Sequence, residues 1–331
     1  QAAPLRSPLK GLRIFKRLMK FKEYAVLKYL ARRIASSLFA LLIITIIVFF
    51  LTHLSGNPVD ALLPDDAGQE QIDAFIREWG LDKPLWQQYL TFLVNAVQGD
   101  FGTSLKWPGE DAMGFVLDRM PATLQLGGIA ILISLVIALP LGIAAAVYNG
   151  SSIDSGAQMF ALLGQSMPNF WLGIVLIWVF SVWLGWLPTS GTGTIAHAIL
   201  PAIAIAWFQV SALARLTRSA MLEVLDAEYI KLARAKGVSE VSVIWKHALR
   251  NAAVVPLTYF GILAASILTG SVVIETVFSW PGMGWVAIEA IRGRDFPVVQ
   301  AVIVAYAVIY MISTLVVDLL YVIVDPRIRH G

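Results

Sequence analysis

The chain has no cysteine, only four histidines in 331 residues (His53, His197, His247 and His330), and only 14% charged residues. Without cysteine there are no disulfides, no thiol catalysis and no thiolate metal site. Four scattered histidines do not make a histidine metal cluster. An average soluble domain is about 25% charged, so this chain has too few charges to make a polar surface. A soluble globular enzyme and a disordered chain are both excluded on these numbers. Familiar catalytic and nucleotide motifs are missing as well. There is no G-x-x-x-x-G-K-[ST] loop to cradle ATP phosphates, no H-E-x-x-H and no G-x-S-x-G. If ATP drives anything here, another subunit binds it.

What remains is apolar: 58% of the residues are hydrophobic. A bilayer core of about 30 Å needs roughly 20 apolar helical residues. Long runs without Asp, Glu, Lys or Arg predict six spans, near 34–54, 123–147, 158–184, 198–214, 252–274 and 299–323. The charge-free stretch Ser155–Ala214 is too long for one span, and Pro188, Thr189, Gly191 and Gly193 divide it. The expected fold class is an all-α integral membrane protein, with an external helical segment between the first two spans.

Charge sets the expected orientation. Ten basic residues and one acid precede the first span, whereas 55–122 carries four basic residues and eleven acids. The loop 215–251 has seven basic residues, and the tail ends in Arg327 and Arg329. Both termini and 215–251 are therefore expected inside, and 55–122 outside. The divisions that follow are a basic segment 1–27, a first span 28–54, an external segment 55–122, a five-helix core 123–325 and a tail 326–331. In the first segment Leu12, Phe15 and Met19 share a helical face ringed by Lys and Arg. That suits a helix lying on anionic lipid, and equally a solvated basic tail. The first apolar run is too long for a cleavable signal, and no small-residue cleavage site follows it. Outside, Asp82-Lys83-Pro84 predicts a helix start, Gly99 its end, and Leu85, Tyr89, Phe92, Leu93 and Ala96 recur at helical spacing.

Within the spans, Ala138, Gly142 and Ala146 stand four apart, the spacing for close helix approach. Pro140 and Pro168 are expected to kink their helices. Gln165, Asn169, Gln209, Tyr259, Ser266 and Tyr306 put polar groups at membrane depth. They line either a translocation path or interhelical hydrogen bonds. Glu275 is placed at an outer span end. Asp318 lies near an inner end, with Arg327 or Arg329 as its expected partner.

The most specific local pattern is in 215–251. Ala227–Lys236 has no Gly or Pro and is expected to be helical, Gly237 then ends it in the left-handed conformation, and Ser239 caps a second helix. On that helix Val241, Ile244, Trp245, Ala248, Leu249 and Ala252 form one apolar stripe. The stretch Glu228-Tyr-Ile-Lys-Leu-Ala-Arg-Ala-Lys-Gly237 resembles the cytoplasmic loop of permease subunits of bacterial ATP-binding-cassette importers, most closely the dipeptide/oligopeptide permease family. Gly99-Asp-Phe-Gly-Thr-Ser104, Val277-Phe-Ser-Trp-Pro-Gly-Met-Gly284, Arg294-Asp-Phe-Pro297 and Asp325-Pro-Arg-Ile-Arg329 are similar to that family too. Against the general importer loop only Ala233, Gly237 and Leu249 fit.

The resemblance implies a non-catalytic permease subunit of the bacterial inner membrane that moves di- or oligopeptides by alternating access. Glutathione, nickel complexes, opines or oligosaccharides are the alternative cargoes, and a secondary carrier is a less favoured reading. The implied partners are a homologous second permease, two ATPases that hold ATP and Mg, an extracytoplasmic substrate-binding protein and membrane lipid, with no nucleic acid. No cofactor or metal is expected in this chain. The implied ATPase-coupling residues are Glu228, Tyr229, Lys231, Leu232, Ala233, Arg234, Ala235, Lys236 and Gly237.

Overall fold

The computed structural model describes residues 31–52, 68–78, 80, 82–261 and 271–324. The N-terminal segment, Ser266, Arg327 and Arg329 lie outside the described residues. Those that are described form helices and turns, with one isolated bridge between Thr103 and Asp111 and no strand. The helices are α1 (Ala31–Thr52), α2 (Gln69–Glu78), α3 (Leu85–Val97), α4 (Ala112–Val147), α5 (Ser152–Ser166), α6 (Asn169–Trp183) and α7 (Ile195–Leu225). After these come α8 (Glu228–Ala235), α9 (Glu240–Ala252), α10 (254–261), α11 (Val272–Val277), α12 (Met283–Arg292) and α13 (Phe296–Val324).

Four of these helices are long and apolar enough to cross a membrane: α1, α4, α7 and α13. The expected third span, 158–184, is not one straight crossing. It is α5 and α6, bent by 107° between Ser166 and Asn169. The cause is local. Pro168 forces the residue before it out of the helical region, and Met167 is extended at φ −96°, ψ 127°. Pro168 then serves as the N-cap of α6, its carbonyl accepting from Leu172 N at 3.1 Å. The expected fifth span keeps only its two ends, α10 and α11, within the described residues.

The core is α4 against α7. Asp111 starts α4 by accepting from Gly114 N at 2.6 Å. The helix runs 36 residues, about 54 Å at 1.5 Å per residue, longer than a bilayer core of about 30 Å is thick. Leu126, Ala130 and Ala138 pack with Leu200, Ile205 and Leu213 of α7. In lipid, helices gain little by hiding apolar surface from one another, so close packing of small residues drives association. A Cβ on Gly142 would lie 2.5 Å from Ala214 O and 2.6 Å from Thr217 Cβ. A Cβ on Gly164 of α5 would collide with Ser211 Oγ and stand 2.7 Å from Ser211 Cβ. Overpacking of this kind costs about 1–3 kcal/mol or more. Gly142→Val is expected to lower the thermal midpoint of the purified chain by several degrees. Thr217→Ala in the same chain should recover part of the loss, whereas Gly128→Val, with nothing within 4 Å, should change it little. Size-exclusion profiles after heating measure all three.

At the α3 end, Phe49 of α1 stacks with Tyr89 and Phe92 at 5.4 and 5.8 Å, and Thr45 Oγ1 shares a 3.1 Å hydrogen bond with Tyr89 Oη. Phe101 is buried, but Trp86 stays 62% exposed, so α3 uses only part of its apolar surface here. At the far end of α13, Asp318 is bound by Arg33 of α1, Nε to Oδ2 at 2.6 Å. Arg327 and Arg329, the partners expected for it, lie outside the described residues. Arg33 reaches Asp318 because α1 and α13 lie side by side, lining one groove through Ser37, Leu41, Ala307 and Met311.

Candidate functional site

The two ends of α4 carry two different constructions. Around its C-terminal end, Ile143 and Ala146 join Met221, Ile230, Val243, Ala248 and Ala252 in a small apolar core. Ile230 is the single residue of α8 that is fully buried. It fastens the helix, while Glu228, Tyr229, Lys231, Leu232, Arg234, Ala235, Lys236 and Gly237 are exposed and Ala233 is half-buried. Tyr229 and Leu232 are 45% and 55% exposed on this short helix.

The turn after α8 follows from glycine. Gly237 has φ +78°. Its N–H donates to Arg234 O at 2.9 Å, and Val238 N–H donates to Ala233 O at 3.2 Å. These two bonds are the pair that closes a helix through a left-handed residue. Lys231 Nζ is 3.2 Å from both Glu228 Oε1 and Asp226 Oδ1. Those hydrogen bonds, Glu228 first, raise its pKa above the ordinary lysine value. Arg234 Nε meets Glu240 Oε1 at 2.8 Å, and Asn251 Nδ2 donates to Tyr229 Oη at 3.1 Å, so α8 and α9 are tied together.

Two expectations for α9 change. Ser239 occupies the N-cap position, but its side chain makes no capping bond. The apolar stripe is also rephased, because Val243–Ala248 is π-helical. A π turn holds more residues per turn than an α turn. Ile244, Ala248, Leu249 and Ala252 of the stripe still pack inward and Val243 joins them, while Val241 and Trp245 are 69% and 55% exposed. Nearby, Arg218 of α7 grips Asp154 of α5 bidentately, Nε to Oδ1 at 2.6 Å and Nη2 to Oδ2 at 2.7 Å, with Asn149 Oδ1 at 3.1 Å. Sequence reading missed this bridge, because the partners are 64 residues apart.

At the N-terminal end of α4, three of the sequence motifs meet. Asp295 is fully buried. It accepts from Ser104 Oγ at 2.5 Å, from Lys106 N at 3.0 Å and from Val298 N at 3.3 Å. Thus the Gly99–Ser104 and Arg294–Pro297 stretches are one unit. Glu275 is also fully buried. It accepts from Ser271 Oγ at 2.7 Å, Gly284 N at 2.7 Å and Trp285 N at 3.2 Å, so its carboxylate serves the open N-terminus of α12. Thr123 of α4 accepts from Met283 N at 2.8 Å, and Trp280 Nε1 donates to Ala122 O at 2.9 Å. Gly282 and Gly284 leave no room for a Cβ beside Glu275. Sequence reading had placed Glu275 at a span end without this role. The available signal was a carboxylate followed by two glycines, one of which begins α12. Farther out, Lys106 Nζ is 2.6 Å from Glu289 Oε2, and this hydrogen bond lowers the Glu289 pKa from its ordinary value.

The polar residues expected at membrane depth do not gather. Gln165 Nε2 on α5 and Gln209 Oε1 on α7 are buried without hydrogen-bond partners among the described residues, as is Trp207 Nε1. Tyr306 of α13 sits with Ser271, Thr123 and Glu275. Asn169 and Tyr259 are half-buried. No described contact joins these residues to one another. Among the described residues, no group of three or more His, Cys, Asp or Glu side chains is placed to hold a metal ion.

Comparison with known proteins supplies the setting. Residues 138–330 match the family model described as binding-protein-dependent transport system inner membrane component, and 26–127 match its N-terminal companion. The oligopeptide transport system permease protein AppB of Bacillus subtilis is 41% identical, over 91% of this chain and 99% of that protein. The di/tripeptide transport system permease protein DppB of Pseudomonas aeruginosa is 40% identical, over 92% and 99%. The glutathione transport system permease protein GsiC of Escherichia coli is 37% identical, over 92% and 100%. Among solved structures, the methionine ABC transporter MetNI in an inward-facing form shares the fold at 19% identity, with a TM-score of 0.54 over 64% of this chain and 97% of that one. Sequence family, apolar helices and fold agree, and the chain belongs to the binding-protein-dependent transport system inner membrane components.

Proposed function

We propose that this chain is the peptide-translocating permease subunit of an ATP-driven importer and couples to partner ATPases through α8. The observation that carries the reading is α8 itself. One buried isoleucine holds a helix whose every other residue is exposed or half-buried, beyond the end of the longest core helices. Relatives named for di-, tri- and oligopeptide transport support the cargo. GsiC, named for glutathione, itself a modified tripeptide, supports the alternative cargo from the same importer class.

In this reading six spans cross the bacterial inner membrane, with the divisions at 27, 54, 122 and 325 drawn from the sequence. Both termini and 215–251 face the cytoplasm, and 55–122 faces outward. ATP and Mg belong to two ATPase subunits. A second permease completes the pathway, and a binding protein delivers cargo. Gln165, Asn169, Gln209, Tyr259, Ser266 and Tyr306 remain candidates for the path. The unpartnered amide groups of Gln165 and Gln209 support polar contacts supplied by cargo, water or the second permease, because a buried orphan costs about 1–3 kcal/mol.

Because the chain has no cysteine, single cysteines report sidedness without background. Pro108→Cys is expected to react with an impermeant thiol reagent from outside, and Ser239→Cys only after permeabilisation; both residues are exposed. Labelling of both from one side would overturn the orientation. Affinity purification should bring down a second permease and two ATPases, and the reconstituted assembly should accumulate a labelled dipeptide. Recovery of the chain alone, with uptake driven by an ion gradient, would refute the subunit reading.

A further inference from the structure

Beside α12 lies an open cavity of about 610 Å3. Its size is that of a small-molecule site, and its walls are held in an unusual way. One wall is the loop around Lys106 and Trp107, pinned by buried Asp295 through Ser104 Oγ and Lys106 N. The facing wall runs from Ser279 to Trp285, pinned by buried Glu275 through Gly284 N and Trp285 N. Neither carboxylate has an ion-pair partner among the described residues. Burying a carboxylate is costly unless its hydrogen bonds are met, and here much of that bonding holds cavity walls in place. Ser279, on the rim, is a non-glycine residue at φ +48°, a conformation held against its preference.

The lining has three chemical parts. Trp107, Phe115 and Trp285 give an aromatic wall, in which buried Phe115 backs Trp107 at 4.7 Å and Lys106 Nζ lies over the Trp107 ring, with Arg119 as a cation and Glu110 as an anion. Lys106 also lines the cavity, but Glu289 already holds its ammonium group at 2.6 Å. Arg119 is different. Its guanidinium lies over the Phe115 ring at 5.1 Å, and it makes no ion pair or hydrogen bond among the described residues. A half-buried guanidinium stacked on an aromatic ring is set to grip a carboxylate in two-pronged fashion.

We propose that this cavity is a subsite for a short zwitterionic peptide, in which Arg119 takes the terminal carboxylate, Glu110 the terminal ammonium and the aromatic walls an apolar side chain. The volume favours a whole di- or tripeptide over a single acidic side chain of a docking protein, which would leave most of it empty. The inference rests on the peptide reading of function and adds a place on this chain where cargo is recognised apart from the binding protein.

The test uses the assembled transporter without its binding protein, and alanyl-phenylalanine as the probe. Three peptides are compared by equilibrium dialysis: the free dipeptide, its C-terminal amide and its N-acetyl form. The wild-type assembly is expected to bind the amide about tenfold more weakly than the free acid, and the acetylated form several-fold more weakly. Arg119→Gln should erase the preference for the acid, and Glu110→Gln the preference for the free amine. Pro108→Cys, on the rim, should label several-fold more slowly when the dipeptide is present. Equal binding of acid and amide by the wild type, an unchanged preference in Arg119→Gln, or failure of Pro108→Cys to label in the assembled complex would each overturn the subsite. The last result would mean that a partner covers the cavity. Peptide uptake by the complete system, measured in parallel, separates this from failure of the functional reading: uptake without acid-amide discrimination at this site sinks only the subsite, and no peptide uptake sinks the function.

Discussion

Gly237→Val is expected to abolish coupled transport while leaving the chain inserted and expressed. Gly237 sits at φ +78° with nothing within 4 Å of where a Cβ would be. The penalty is therefore conformational rather than steric. A left-handed residue with a Cβ costs about 1–2 kcal/mol, and a β-branched side chain is the least tolerant. The chain relieves that strain by giving up the closure at Arg234 O and Ala233 O, and α8 then swings relative to α9. The core of α4 and α7 does not depend on this turn. Peptide uptake should fall by more than tenfold while membrane-inserted protein stays within about twofold of the parent. ATP hydrolysis should either drop with it or continue without uptake. Arg234→Ala is the contrast. Its bridge to Glu240 is solvent-exposed, with side chains 41% and 60% accessible, and such pairs are worth about 1 kcal/mol or less. It should cost no more than a few-fold in uptake. Parent-like uptake and hydrolysis in Gly237→Val would remove α8 from the coupling role.

Glu275→Ala should be the most damaging single change to stability. It leaves Gly284 N and Trp285 N without their shared acceptor in a fully buried place. Each orphaned group costs about 1–3 kcal/mol, and the empty volume adds to it. A total loss of about 3 kcal/mol or more is expected from orphaned donors of this kind, with the N-terminus of α12 coming free first. Glu275→Gln should lose less, because its remaining carbonyl still accepts one or two of the bonds, although its amide presents donors to donors. Limited proteolysis near Trp280 and thermal unfolding of the purified assembly measure both. If Glu275→Ala and parent melt together with identical digestion, the carboxylate does not organise this end of the bundle.

Neighbouring residues carried different amounts of information. Gly237 was legible because its cause is local: a helix of good formers, a residue without a Cβ, then a capping-type serine. The helix at Leu85–Val97 was legible for the same reason, through Pro84 before it and Gly99 after it. The stripe on α9 was misread at Val241 and Trp245, because a π turn changes the phase of a helix without any mark in the residue pattern. In the third span the kink was legible and its size was not. Pro168 announced a kink, but the 107° bend also needs α6 to find its own packing partners. Phe278 is one of them, its ring 3.1 Å from where a Cβ on Gly173 would stand.

The sequence by itself determined that this is a helical membrane protein of the importer-permease type, and where the turn at Gly237 and the helix at Leu85–Val97 fall. Those properties follow from hydrophobic run length, charge and backbone preference, all of which act within a few residues. Only the tertiary structure decided that Asp318 pairs with Arg33, that Asp154 pairs with Arg218, and that Glu275 and Asp295 bind the walls of one cavity from positions remote in the chain. A buried charge takes whichever donors the packing of distant helices brings within about 3 Å, and no local pattern records which those will be.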